Sequence, residues 1–366
     1  MGKWGPEAWR SRANEIDGSG ASLLGMTALP ARATYYAGCP YVKRTLLPAP
    51  AAPSLRWYYV AVSDAPSVGI VTVNYNSAAF ISEFLESLAR VEYPNARLIA
   101  VDAASHDGSA DEIARSLPNA HVIRCDENVG IARGNNLGAR YCREQGFDYI
   151  LFINNDTTHE PDFLRILVDA ADERTMTVPR ILYAGDHRLI STHAGDFDWE
   201  LGLFRNTYHG KPDGPATRRR RELQTASFCC ILVPARTFED AGALDERFFM
   251  YYEETDFLRR ALQCDYRLLY VPEAVIYHRE SASSGGGWMT PFKHYYATRN
   301  RLYLVRKHAR SRVRYALFTL YFWATRLPYA LRYVILRQPA MLKAMLLGML
   351  HYYRGRMGRT LEVHDF

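Results

Sequence analysis

No CxxC pair and no cluster of histidines occurs anywhere in the 366 residues. The six cysteines (Cys39, Cys125, Cys142, Cys229, Cys230 and Cys264) are scattered, which argues against zinc or iron–sulfur centres and for buried, reduced thiols. GxGxxG follows no candidate strand, so a dinucleotide dehydrogenase is disfavoured. GxxxxGK[ST] is also absent, so a P-loop does not hold phosphates here. No charged n-region and apolar h-region open the chain, and a secretory signal is not expected. Long apolar runs are missing too: in the C-terminal part the longest charge-free one, Tyr315–Thr325, has 11 residues, against about 20 needed to cross a bilayer. Acid is missing from one region altogether. Residues 293–360 hold 15 Lys or Arg and no Asp or Glu, leaving 30 basic against 39 acidic residues elsewhere, a net of −9 beneath the overall +6.

What is present reads as three parts. Residues 1–66 lack periodicity and contain GSGAS and LLPAPAAP, which predicts an irregular or flexible extension. From residue 68 strand and helix patterns alternate: strands at Val68–Tyr75, Arg97–Val101, His121–Arg124 and Tyr149–Ile153, with helices at Ala79–Val91, Ala110–Leu117 and Ile131–Glu144 between them. That rhythm implies right-handed crossovers and a mostly parallel α/β sheet flanked by helices. Thr175–Leu182, Ser227–Val233 and Tyr266–His278 add extended segments, Ile190–Tyr208 reads as a hairpin, and Phe248–Cys264 as a helix. The third part, 291–366, is basic and aromatic and predicts amphipathic helices.

The strand ends carry the chemistry. FINNDTT (152–158) stops an apolar run with Asn154, Asn155 and Asp156 at the sheet edge where α/β proteins bind ligands. Helix capping by this cluster stays open, since Thr157, Thr158 and Glu160-Pro161 resemble a helix start. VNYNS (73–77) places Asn74, and VDAASHDGS (101–109) places Asp102, at two further strand ends. Without a P-loop, a diphosphate is best held by a divalent cation, for which Asp156 is the obvious anchor. In ENVGIARGNNLGAR (127–140), Arg133 sits at a glycine-rich helix start that favours anions. FFMYYEETDFLRRAL (248–262) puts Glu253, Glu254 and Asp256 in one helical turn, more acid than a cap requires.

In this order, VTVNYNS, VDAASHDGS, NVGIARGNNLGA, LFINNDTTHEPDFL, FFMYYEETDFLRRA and YVPEAVIYH resemble a family 2 glycosyltransferase of the GT-A fold, nearest its rhamnosyltransferase-like branch, over about 68–310. The resemblance implies a Rossmann-like catalytic domain over 67–290. It implies that Asp102 contacts the base, with Asn74, Arg133, Asn154, Asn155 and Asp156 around the nucleotide sugar. Asp156 would close the family's Asp-X-Asp metal motif, whose first acid is Asn154 here. His278 would complete the site for Mg²⁺ or Mn²⁺, and Glu254 would be the catalytic base of an inverting transfer. Glu253, Asp256 and Trp288 are acceptor-side candidates. HYYATRNR (294–301) resembles a segment near the family's active site and makes Arg299 a candidate phosphate contact. Asn154 in place of an acid, Glu254 in place of Asp and Ala103 in place of Asn depart from the usual pattern.

These readings lead to transfer of a sugar, with a deoxysugar such as rhamnose favoured, from a nucleoside diphosphate to a lipid-linked or glycan acceptor in cell-envelope synthesis. The basic aromatic segment suits an anionic membrane surface better than nucleic acid, because it is more apolar than a basic arm. The expected location is cytoplasmic, peripheral on the inner face of the membrane. A non-catalytic membrane-attached sugar-nucleotide binding subunit is the alternative, and a nucleotidyltransferase a weaker third.

Overall fold

A computed structural model describes residues 65–361 and 365, apart from 192–193, 206 and 280–288. The extension expected over 1–66 lies almost wholly outside the described residues, as does Trp288. The described chain runs β1 (Val68–Asn74), α1 (Ile81–Leu88), β2 (Ala96–Asp102), α2 (Ser109–Ser116), β3 (His121–Arg124), α3 (Gly130–Glu144), β4 (Tyr149–Ile153) and β5 (Thr157–His159). It continues through α4 (Phe163–Asp169), β6 (Thr175–Tyr183), β7 (Asp196–Asp198), β8 (Leu203–Arg205), β9 (Arg221–Glu222), β10 (Cys230–Pro234), α5 (Thr237–Asp240), α6 (Glu253–Gln263) and β11 (Arg267–His278). Three helices end it: α7 (Pro291–His308), α8 (Arg312–Ile335) and α9 (Pro339–Tyr353).

The main sheet has the order β3-β2-β1-β4-β10-β6-β11-β5. β1 pairs in parallel with β2 on one side and β4 on the other, so the strand order reverses at β1. A crevice forms beyond the carboxyl ends of strands at such a point. β10 runs antiparallel between β4 and β6, while β6 and β11 are parallel.

Strand residues alternate faces, and the two faces build two cores. Val71, Ile99, Phe152 and Ile231 meet Phe257, Leu258 and Ala261 of α6 on one side. Ile70, Leu151 and Leu232 meet Phe84 of α1 and Phe163 of α4 on the other.

Two expectations shift. Thr157–His159 is a short strand paired antiparallel with β11, Thr157 opposite His278, and not a helix start. β-branched threonines suit that pairing. The helix read from Phe248 begins only at Glu253, because Phe249, Tyr251 and Tyr252 adopt left-handed backbone with φ of 67°, 66° and 73°.

α3 lies close on β1 because Gly138 carries no side chain. A Cβ built there would stand 2.3 Å from Cγ1 of Val71. Alanine normally gains about 1 kcal/mol over glycine inside a helix, but overpacking a core costs about 1–3 kcal/mol. Gly138→Ala is therefore expected to destabilise the fold by roughly 1–2 kcal/mol, read as a lower denaturant midpoint.

Candidate active site

Asn74 ties three strand ends together. It is fully buried, and its Nδ2 donates to Asp102 Oδ1 at 2.8 Å, Ser109 Oγ at 2.9 Å and Ser105 Oγ at 3.1 Å. Its Oδ1 accepts from Asn155 Nδ2 at 2.9 Å and from Ser77 Oγ. Asp102 also accepts from the Ser105 backbone N–H. Asn74 thus fixes the Asp102 carboxylate and links it to Asn155, whose Nδ2 is spent on Asn74. Buried polar groups that are satisfied in this way hold one arrangement of the loops.

Asp156 precedes β5 and His278 ends β11, so the pairing of these strands brings the two together. His278 Nε2 lies 3.3 Å from Asp156 Oδ1, and its Nδ1 faces Ser191 Oγ at 3.1 Å. Asp156 Oδ1 is buried and has the His278 ring as its ion-pair neighbour. Burial disfavours the charged imidazole, yet Cys229 and Asp156 outweigh it and raise the His278 pKa well above the ordinary range. A buried carboxylate is costly without a positive partner, and the raised pKa of His278 makes its imidazolium that partner here. Adjacent ligands of one cation at about 2.1 Å stand about 3 Å apart, so the same two side chains would be spaced for a divalent ion once the imidazole is neutral. Among the described residues no cluster of three or more His, Cys, Asp or Glu forms a metal site, and further ligands would have to come from elsewhere. Asn154, half-buried, is held through its backbone: its N–H donates to the Cys229 carbonyl and its own carbonyl accepts from Thr157 Oγ1.

The third element is the first turn of α6. Glu253 is 4% exposed, and one Oε2 on each of Glu253 and Glu254 is buried without a partner. Burial pushes Glu254 up to about 7, moderated by backbone N–H groups and by a hydrogen bond from Glu253. Burial and the neighbouring Glu254 push Glu253 well above the carboxylate range. Two adjacent buried carboxyls titrate as a pair. Here burial raises both carboxyls, and the charge of Glu254 adds to the rise at Glu253. A carboxylate with its pKa raised in this way is suited to general-base work.

The loop before α6 is held from α7. Each left-handed non-glycine residue costs about 1–2 kcal/mol, so the run at 249–252 needs compensation. Asn300, fully buried, donates through Nδ2 to the carbonyls of Phe248, Met250 and Tyr251 at 2.9, 2.7 and 3.0 Å. Arg299, also fully buried, donates to the carbonyls of Phe248 and Gly358 and to Thr360 Oγ1, and its guanidinium lies 4.7 Å from the Tyr296 ring centroid. Arg299 is thus spent on backbone carbonyls, and the expected phosphate contact is corrected. Its burial has a simple cause: a planar fork of donors satisfies several carbonyls at once.

Two more candidates sit elsewhere than expected. Asp256 is fully buried beneath Arg260, Lys307 and His308, with nearest contacts of 3.0, 2.8 and 2.8 Å, so it bolts α6 to α7 and does not face an acceptor. Arg133 lies within 3.7 Å of Glu127 and 4.0 Å of Glu246. The first N–H groups of α3 are also taken, by Asn128 Oδ1 and the Phe249 carbonyl, which removes the anion-binding helix terminus expected there. Asn300, Ser191 and Cys229 were not singled out from sequence; only the adjacency of Asn300 to Arg299 in HYYATRNR pointed its way. Asn300→Ala should leave carbonyls unpaired at about 1–3 kcal/mol each. The expected stability loss is roughly 2–4 kcal/mol, measured by chemical denaturation.

Residues 69–233 match the family model described as Glycosyl transferase family 2. An N-acetylglucosaminyl-diphospho-decaprenol L-rhamnosyltransferase of Mycobacterium tuberculosis is 23% identical over 244 residues, covering 59% of this chain and 77% of that protein. A dTDP-rhamnosyl transferase of Shigella flexneri, RfbF, is 23% identical over 248 residues, covering 65% of this chain and 79% of that protein. Among solved structures, GalNAc-T7 with UDP, GalNAc and Mn²⁺ superposes with a TM-score of 0.54 at 16% identity, over 72% of this chain, which spans about half (51%) of the length of that structure. The reversal of strand order at β1 and this superposition agree on a GT-A fold, and residues 69–233 of the chain match the glycosyl transferase family 2 model within it.

Proposed function

We propose that the chain is a cation-dependent inverting glycosyltransferase. It would move a sugar, rhamnose or a similar deoxysugar, from a nucleoside diphosphate to a hydroxyl of a lipid-linked or polysaccharide acceptor at the inner face of the cell membrane. The observation that carries this is the acidic first turn of α6, where buried Glu253 and half-buried Glu254 each hold an Oε2 without a hydrogen-bond partner. The sugar class rests on the two rhamnosyltransferase relatives, and the acceptor class on the lipid-linked substrate in the name of the first.

In this reading Asp102 meets the base of the donor, held in place by Asn74 and Ser105. Asp156 and His278 would hold a divalent ion, which when bound would offset charge on the departing diphosphate. Glu254 accepts the proton of the acceptor hydroxyl. The oxygen forms its bond to the anomeric carbon as the bond from that carbon to the diphosphate oxygen breaks, and the nucleoside diphosphate departs with the electron pair. One displacement inverts the anomeric centre. Glu253, protonated, keeps its neighbour oriented and withholds competing charge.

Glu254→Gln is expected to cut kcat at least about a hundredfold, with nucleotide-sugar affinity retained by calorimetry; near-normal turnover would exclude Glu254 as base. Because the carboxylate must be ionised to act and its pKa is raised, kcat should climb as pH rises through about 7 and level off above it. Asp156→Asn should abolish the thermal stabilisation that Mn²⁺ and nucleoside diphosphate give together, while the metal-free melting temperature stays within a few degrees.

A further inference from the structure

The three C-terminal helices differ in what covers them. α7 is buried along most of its length, and α9 buries Ala344, Met345, Met349 and Tyr352. α8 buries only Phe318, Phe322 and Tyr333 among its 24 residues. Its outward face is as apolar as its inward one. Val313, Leu317, Leu320, Leu327, Leu331 and Val334 follow one another at steps of four, three, seven, four and three, which is one side of a helix, and each is at least 60% exposed. The stripe runs about 33 Å. Exposed Arg312, Arg332 and Arg337 flank it, with partly exposed Trp323 and Tyr321 at its margins.

We propose that this face of α8 is the surface by which the protein lies on an anionic bilayer, with the helix parallel to the membrane plane. Water-soluble surfaces seldom leave an apolar stripe of this length uncovered. No described helix is long and apolar enough to cross a membrane, so the stripe is suited to the interface and not to a span. Its rim is basic, and the surrounding residues 293–360 include no acid. A second copy docked on the same face would set like charges against each other, whereas anionic headgroups complement them and aromatic side chains prefer that depth. The proposal deepens the proposed function by naming the surface that meets a lipid-borne acceptor, and it narrows the basic segment's membrane contact to α8.

The test is co-sedimentation of the full-length protein with vesicles of pure phosphatidylcholine or of phosphatidylcholine with phosphatidylglycerol. Binding to the anionic vesicles, weakened by salt, is expected. The double variant Leu320→Asp/Leu327→Asp should lose about tenfold or more of that partitioning, with an unchanged melting temperature and unchanged hydrolysis of nucleotide sugar in solution. Wild-type protein left in the supernatant with anionic vesicles would overturn the proposal. So would a concentration-dependent dimer that the double variant dissolves, which would identify a second copy as the occupant. Absence of donor turnover with vesicle binding intact would instead remove the transferase reading and leave the membrane face standing.

Discussion

The loop 247–252 is the constraint on which the active-site arrangement depends. Its backbone takes three left-handed steps that its own side chains disfavour, and it serves three helices at once. The Phe249 carbonyl accepts from the first N–H groups of α3, the loop's end launches α6 with Glu253 and Glu254, and Asn300 and Arg299 of α7 hold its other carbonyls. The two amide hydrogens of Asn300 are shared among three loop carbonyls, and a hydrogen bond has a net worth of about 1 kcal/mol. That is the same order as the strain of the three residues it stabilises. The balance explains why α7, which lies outside the matched family region of 69–233, is built into the protein and not appended to it. The ion pairs of Asp256 and Asp245 with Lys307, and of Asp256 with His308, hold α7 down at a second point.

Burial then sets the chemistry. The same α6 stripe that fills the core with Phe257, Leu258 and Ala261 carries Glu253 and Asp256 into it as well. Their fates diverge with their neighbours. Asp256 meets a hydrogen bond from His308 and the charges of Arg260 and Lys307, which outweigh burial and hold its pKa below the ordinary value, so it stays charged as a structural anchor. Glu253 and Glu254 meet only each other and backbone, and burial raises both. One turn of helix thus holds a charged anchor and two carboxyls with raised pKa, distinguished by environment and not by residue type.

The parallel half of the sheet was legible from sequence because its signals are local: uninterrupted apolar runs at β1 and β4, and a 3.6-residue period in α3. The strand ends followed, and Asn74 is hydrogen-bonded both to Asp102 and to Asn155, the neighbour of Asp156. What could not be read were facts decided by distant pairing. β5 is three residues long and exists because β11 lies beside it. The late start of α6 is dictated by Asn300, about fifty positions downstream. Arg299 read as a phosphate ligand because an arginine beside an active-site segment has that use most readily; that it would instead face five acceptor atoms of its own chain depends on the path of 247–249 and 358–360.

The basic segment shows why charge alone misleads. Read as one unit, its fifteen cations promise one function. In three dimensions they divide by direction. Arg299, Arg301 and Lys307 point inward, to carbonyls of the body or to buried acids, and hold the fold together. Arg312, Arg332 and Arg337 point outward around a leucine stripe. The acidic body can accept the first set because Asp245 and Asp256 lie where α7 crosses α6. The second set has no such acids on its own segment to meet. A single stretch of sequence can therefore fasten itself to the catalytic domain with one face and keep a second basic, apolar face for a different surface.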